Sequence, residues 1–350
     1  MDIENVNNLK KIETELERWL PANTKTNTKN VWKEKAFAGI GKSIGVPSLN
    51  ALTEPLRDML SRGGKRWRPL LMTLICETLG GGDSAVPLAP LVEFCHNASL
   101  IHDDIEDDSD ERRGKPTIHK IYGVDTAINS GSFFYFLSLC CIEAYKGDNK
   151  ESIYKLWAEY MRRLHLGQAM DISWHRDIRI IPEIDEYFLM CALKTGSLSR
   201  FAAELGAYTA GVPEETAQYP GEAAEKLGIG FQILDDVKNL TTGVRGKRRG
   251  DDVVEGKKSY PVLLYLHRYP EKREQIFYCF YEAKTNGLLV PEIKEVIDIL
   301  TDAGVLKEAE EKAMVLIKEA RDSFNSPQYG GFPASENGRA RLDNLINMIC

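Results

Sequence analysis

The sequence lacks several features, and each absence removes a class of protein. There is no basic excess: 45 Lys and Arg stand against 52 Asp and Glu, for a formal net charge of −7. Nucleic-acid binders usually carry a basic face, so none is expected as a partner; a local basic pocket for a small anion stays open. No run of the roughly 20 apolar residues that a membrane span needs stands out, and no span is expected. The seven cysteines (Cys76, Cys95, Cys140, Cys141, Cys191, Cys279 and Cys350) are odd in number and form no C-x-x-C pair. That excludes a visible zinc framework and fits reduced thiols used as small core residues in a cytoplasmic protein. The start, Met1-Asp2-Ile3-Glu4, is too polar for a secretory signal. The end, Asn347-Met348-Ile349-Cys350, is not a prenylation box. Alternating strand-like runs bounded by turn pairs are missing, apart from short β-branched pieces, and no repeat recurs at a fixed period.

Helical periodicity is abundant. Residues 4–20 read as an amphipathic helix and residues 21–30 as a polar hinge. Further breaks fall at Gly80-Gly81-Gly82, around Gly114-Lys115-Pro116, at Gly147-Asp148-Asn149, at Gly211-Val212-Pro213 and from Gly243 to Gly256. Pro213 suits a first helical turn. Apolar-rich stretches of about 20 residues or more lie between the breaks, and 43% of residues are hydrophobic, enough for a sizeable core. No linker divides the chain, so residues 1–350 are expected to form one all-α domain.

Two segments change character along their length. Residues 86–108 begin apolar and end as Asp103-Asp104-Ile105-Glu106-Asp107-Asp108. Like charges four apart destabilise a helix, and carboxylates near its C-terminal end oppose its dipole. One such end would ordinarily be solvated surface. A second makes that reading weaker: Gln232, Asp235, Asp236 and Asn239 fall on a single helical stripe. Two carboxylate-tipped helices facing each other would suit Mg²⁺, a hard cation usually completed by water and substrate phosphates.

Basic residues accompany both clusters. Gly63-Gly64-Lys65-Arg66-Trp67-Arg68-Pro69 opens one helix, a favourable place for an anion. Arg112-Arg113-Gly114-Lys115 follows the first acidic cluster, and Lys247-Arg248-Arg249 and Lys257-Lys258 follow the second. Carboxylates for a cation and bases for a phosphate are the requirements of a metal–diphosphate site.

In order, GGKRWRP, LIHDDIEDDSDERRGKP, LHLGQAMDISW, KTGSLSRFAAELGA, GFQILDDVKNL and DDVVEGKKSYP resemble the blocks of the trans-isoprenyl diphosphate synthases, over about residues 60 to 265. INSGSFFYFLSL, LHLGQAMDISW, KTGSLSRFA and DDVKNL look most like geranylgeranyl diphosphate synthases of the eukaryotic type. The resemblance implies the all-α isoprenoid-synthase fold, with many antiparallel helices around a deep central cavity, and a homodimer. It implies three Mg²⁺ ions between Asp103 and Asp107 on one wall and Asp235 on the other, with Asp104 and Asp236 in support. Arg112, Lys194, Lys247 and Lys257 would hold an allylic diphosphate, with Thr195 and Gln232 facing the reacting carbons. Gly64, Lys65, Arg68, His96 and Arg113 would hold isopentenyl diphosphate. Asp171, beside Gln168, would position Lys194. Asn239 stands where the family usually has Asp, which puts a direct metal role for it in doubt.

The implied reaction joins isopentenyl diphosphate to an allylic diphosphate. Ala98 and Ser99, one turn before Asp103, are small where bulky residues would stop growth at fifteen carbons or fewer. Tyr135, Phe136 and His165 resemble the floor of twenty-carbon synthases. Geranylgeranyl diphosphate is the expected product, with farnesyl or longer products as the alternative. A terpene cyclase would not need the Lys65, Arg68, His96 and Arg113 set. A non-catalytic partner subunit typically loses the first acidic motif, which is whole here.

Overall fold

The computed structural model describes residues 3–21, 31–243 and 248–350. Helix dominates. Among the described residues the only strands form two-residue hairpins, Glu111–Arg112 with Lys115–Pro116 and Gln328–Tyr329 with Phe332–Pro333. The expected N-terminal helix spans Ile3–Trp19. Residues 22–30, most of the expected hinge, lie outside the described residues. The run expected over 86–108 is a helix over Ala89–Glu106, because Gly82–Leu88 is wound as a tighter 3₁₀ turn and Pro90 supplies the first helical turn. Pro213 lies just ahead of the helix Glu214–Thr241 rather than inside it.

The chain divides into two compact units. The first comprises residues 1–158, 201–221 and 324–349. Its centre is the helix Ala89–Glu106 packed along Val124–Ala144, with Phe94 and Phe134 rings 4.5 Å apart. Buried Leu70, Leu74, Leu91, Val92 and Leu137 fill the surrounding space. Trp157 Nε1 donates to Cys95 Sγ at 3.3 Å, so that thiol packs as a core residue. Helix Val124–Ala144 departs from the sequence expectation. Its 21 residues are long and apolar enough to match a membrane span by length and composition. About half of its apolar stretch is buried against protein, as in the core helix of a globular unit.

The second unit comprises residues 159–200 and 222–323, with Cys350. Its core gathers Leu240, Val253, Val262, Leu266, Ile276, Phe280, Val296 and Leu300. Two local features shape it. The chain from Gly243 to Gly256 contains the short helix Asp251–Glu255, which the glycine-rich sequence did not announce. Residues Ala192–Gly196 are wound as a single π turn between Ile184–Cys191 and Ser197–Thr209. Such turns release a backbone carbonyl from regular pairing.

Candidate active site

The helix Ala89–Glu106 and its C-cap Asp107 place three aspartates in different environments. Asp104 is fully buried, and Arg112 Nε donates to its Oδ1 at 2.7 Å from the adjoining hairpin. Arg112 Nη2 also reaches Asp103 Oδ2 at 3.3 Å. Burial works against the Arg112 charge, but Asp104 and Asp103 outweigh it and push its pKa up. Asp103 and Asp107 are half-buried and four residues apart, and so share a face. Asp104 thus works as the inner anchor of Arg112, while Asp103 and Asp107 form the pair nearer to solvent.

In the same unit, Gly64, Lys65, Arg66, Trp67, Arg68, Glu93, His96 and Arg113 line a pocket at the start of the helix Trp67–Thr78. Gly64 has φ +138, and a Cβ there would meet Arg113 Nη2 at 3.1 Å, so glycine is required. Arg68 stacks on Trp67, its Cζ 4.4 Å from the ring centre, and its Nη1 lies 3.5 Å from His96 Nε2. Burial, then Arg68 and Arg113, hold His96 well below the ordinary histidine range, so it is neutral near pH 7. Lys65 Nζ donates to the carbonyls of Met348 and Ile349 at 3.0 and 3.1 Å. All five predicted pocket residues are therefore together. Arg66, Trp67 and Glu93 are additions. Arg66 and Trp67 sit inside the quoted motif, and Glu93 carried no signal in the sequence beyond an acid in an apolar helix.

In the second unit, Asp236 is 5% exposed and engaged on three sides. The Tyr187 hydroxyl (2.7 Å), the Tyr260 N–H (2.9 Å) and Gln232 Nε2 (3.0 Å) all donate to it. Burial nevertheless pushes its pKa up. Thr195 Oγ1, in the π turn, donates to Gln232 Oε1 at 2.7 Å. Asp235, next along the stripe, is half-buried. Asn239 is 2% exposed, and its Oδ1 accepts the Asp252 N–H at 3.2 Å while its carbonyl accepts the Gly250 N–H at 3.0 Å. The amide that replaces the usual carboxylate thus tethers the short helix Asp251–Glu255. Asp236 and Asn239 together pin both ends of the segment that carries Lys257.

The lysines of this unit are paired. Lys194 Nζ donates to Asp171 Oδ2 at 2.6 Å, as expected for a positioning carboxylate. Lys194, followed by Lys257, lowers the pKa of Asp171 against the effect of burial. Lys257 pairs with Glu255 at 2.6 Å, a partner absent from the sequence reading. Gln168 is half-buried on the helix Lys150–Arg176 that bears Asp171. A Cβ at neighbouring Gly167 would collide with the Lys194 nitrogen, so this glycine lets the π turn sit against the helix. Lys247 lies outside the described residues. Among the described residues no three His, Cys, Asp or Glu side chains converge as a ready-made metal cluster.

The residues expected to set chain length separate. Ala98 is fully buried, and half-buried Ser99 lies four residues before Asp103 on its face. Tyr135 is 8% exposed and stacks on His102 at 5.9 Å. Phe136 is 63% exposed, so it and the buried Tyr135 face different sides of their helix. Consecutive helical residues point about 100° apart, and only one of the two can face inward. His165 is exposed, with Nδ1 2.7 Å from the Met161 carbonyl.

An all-helical chain whose carboxylate-bearing helices each travel with their own basic residues has the makings of a transferase of diphosphate esters. The polyprenyl synthetase family model matches residues 49–299, and the chain belongs to that family. It is 34% identical over 298 residues to a geranylfarnesyl diphosphate synthase of Aeropyrum pernix, covering 82% of this chain and 90% of that one. It is 31% identical over 320 residues to a geranylgeranyl pyrophosphate synthase of Penicillium crustosum, covering 90% of each. Among solved structures, a geranylgeranyl pyrophosphate synthetase from Pyrococcus horikoshii aligns at TM-score 0.78 and 27% identity, over 99% of this chain and 98% of that one. The chain is a chain-elongating prenyl transferase with the all-α fold of isoprenyl synthases.

Proposed function

We propose that the enzyme adds isopentenyl diphosphate to an allylic diphosphate and releases a trans-polyprenyl diphosphate of twenty carbons, geranylgeranyl diphosphate. The observation that carries this reading is the separation of basic groups into two sets. Lys65, Arg68, His96 and Arg113 line one pocket, whereas Lys194 and Lys257 are held by Asp171 and Glu255 in the other unit. Two anion sites suit a reaction with two diphosphate substrates, which a cyclase does not need.

The donor set fits Mg²⁺: half-buried Asp103 and Asp107 share a helix face, and half-buried Asp235 flanks a fully engaged Asp236. Asp103, Asp107 and Asp235 would hold three ions, with Asp104 and Asp236 behind them. Asn239 is assigned the tether to Asp252 rather than a coordination site. Bound Mg²⁺ would supply positive charge to the departing diphosphate.

The chain's own residues do the rest. Lys194, Lys257 and Arg112, with Lys247, grip the allylic diphosphate as its C–O bond breaks, offsetting the charge that develops on the leaving oxygen. The π turn at Ala192–Gly196 and the Thr195–Gln232 bond offer oxygen dipoles to the allylic cation. His96, held neutral by burial and then by its arginine neighbours, donates to the second diphosphate rather than acting as a base. The proton lost after carbon–carbon bond formation passes to the departing diphosphate.

Residues 1–350 are read as one isoprenoid-synthase domain, acting as a cytoplasmic homodimer. Free thiols at all seven cysteines suit a reducing compartment. Exposed Val124, Ile128 and Phe136 recur at helical spacing along one side of Val124–Ala144, a face suited to a second copy. The deciding assay offers labelled isopentenyl diphosphate with each allylic starter in turn and measures product length. The twenty-carbon reading fails if the main product has fifteen carbons or thirty. Undiminished turnover in excess chelator removes the metal assignment.

A further inference from the structure

The pocket at the start of Trp67–Thr78 contains a group that an anion site should avoid. Glu93 lines it beside Lys65, Arg68, His96 and Arg113, and is 2% exposed. A carboxylate there repels a diphosphate, so its presence calls for a compensating role. Its Oε1 accepts from Arg66 Nη1 at 2.7 Å and from Asn97 Nδ2 at 2.8 Å. Arg66 in turn donates to the Leu60 carbonyl at 2.8 Å, to the Gly63 carbonyl at 3.3 Å and to Glu13 Oε1 at 2.9 Å. The Gly63 carbonyl also accepts from Arg113. One network thus runs from Glu93 through Arg66 and Gly63 to Arg113.

Arg66 itself has φ +48, in the left-handed region. A non-glycine residue stays there only when its surroundings over-determine it. Its fork has four protein acceptors, of which Glu93 is the buried charge. The residues on either side of this turn are Lys65 and, two further on, Arg68.

We propose that Glu93 is a positioning residue for the homoallylic diphosphate: by holding Arg66 in its left-handed turn, it sets Lys65 and Arg68 on one wall of the pocket and Arg113 on the other. This rests on the reading of that pocket as the isopentenyl diphosphate site. It also makes a counter-intuitive prediction. If charge alone mattered, removing a carboxylate from the wall of an anion pocket would tighten anion binding. If Glu93 positions the turn, removing it loosens binding.

The test is steady-state kinetics with each substrate varied, on wild type, Glu93→Gln, Arg66→Gln, the double variant and Arg68→Ala. Glu93→Gln is expected to raise KM for isopentenyl diphosphate by about tenfold or more, with the allylic KM within about twofold. The double variant should be no worse than Arg66→Gln alone, because the two residues act through one link. An isopentenyl KM that falls or stays level in Glu93→Gln overturns the proposal, as does an equal loss for both substrates. Arg68→Ala tests the underlying reading separately. If it leaves the isopentenyl KM unchanged, the pocket is misassigned and the proposal falls with it. Should Glu93→Gln fail to fold, because Arg66 is left buried and unpaired, Glu93→Asp is read against the same thresholds: it keeps the charge but shortens the reach.

Discussion

At the scale of residues, neighbours in sequence do different work because burial differs. Asp104 and Asp236 are enclosed, the first against Arg112 and the second by three donors, whereas Asp103, Asp107 and Asp235 keep access to solvent. Asp103→Ala or Asp235→Ala should therefore lower kcat by about a hundredfold or more, from loss of charge stabilisation at the leaving group, with little change in Tm. Asp236→Ala should also lower Tm, since it strands the Tyr187 hydroxyl and the Tyr260 N–H. Thermal melts beside the kinetics separate the two classes. Lys258 gives a second test. It is 3% exposed and donates to the carbonyls of Trp174 and Gly256 at 3.2 and 3.0 Å, with its ammonium 5.5 Å from the centre of the Phe280 ring. Burial, with Lys284 adding repulsion and Asp177 and Asp171 partly offsetting it, lowers its pKa to about 8. The unfolded chain, with the ordinary lysine value, binds the proton more tightly. The penalty for burying the charge is therefore full below pH 8 and fades as pH rises from about 8 to 10.5. Lys258→Met should gain up to about 3 kcal/mol at pH 7, and the gain should shrink through that window. A variant less stable than wild type at pH 7 would show that the two carbonyl bonds outweigh the desolvation.

At the scale of elements, what the sequence disclosed depended on whether the signal was local. The acidic helix ends, the helix start at Trp67 and the stripe from Gln232 to Asn239 are matters of spacing along one segment, and each fell where expected. Glu93 and Tyr187 were missed because their partners lie 27 and 49 residues away, which no local pattern encodes; Glu255 is near Lys257 in sequence, and its role shows only in the folded pairing. The helix Asp251–Glu255 was hidden by glycines at both ends that serve as left-handed caps, Gly250 at φ +89 and Gly256 at φ +76. The π turn was half visible. Lys194-Thr195-Gly196 suggested a bend, but not the close approach of Gly167 from the helix Lys150–Arg176 to the π turn. Gly167→Ala tests that coupling. The added methyl collides with the Lys194 nitrogen, so the two helices must part or the π turn must rewind. Overpacking of this kind costs about 1–3 kcal/mol. Tm should fall, and the allylic KM should rise more than the isopentenyl KM. An alanine variant with wild-type kinetics for both substrates would show that the π turn does not govern Lys194.

At the scale of the whole molecule, the family relation leaves product length open, since the relatives include twenty-, twenty-five- and longer-chain synthases by name. On the proposed reading, length is set by how far a chain can extend from Asp103 before meeting a wall. One isoprene unit adds about one helical turn of length, roughly 5.4 Å. Along Ala89–Glu106, Ala98 and Ser99 ahead of Asp103 are both small, and on this reading neither blocks growth past fifteen carbons. On the packed partner helix Val124–Ala144, Tyr135 is buried and stacked on His102, whose Nδ1 lies 2.9 Å from the Ala98 carbonyl. That brings a large ring to the level of the small residues, where on the proposed reading it would serve as a floor below Asp103. Phe136, turned outward, does not contribute from within the same chain. Ser99→Phe and Ala98→Phe should therefore shorten the main product to fifteen carbons. Ser99→Phe should do so with the smaller loss of Tm, because Ala98 is fully enclosed and must be overpacked to take a ring. Tyr135→Ala should shift product towards twenty-five carbons and beyond, at a cost of several kcal/mol in stability for the cavity it opens, of order 3–5. Chromatography of the dephosphorylated products reads all three. If Tyr135→Ala leaves length unchanged while Ser99→Phe shortens it, the gate is where the small residues are but the floor is built elsewhere, with the outward-facing Phe136 of a second copy the next residue to vary.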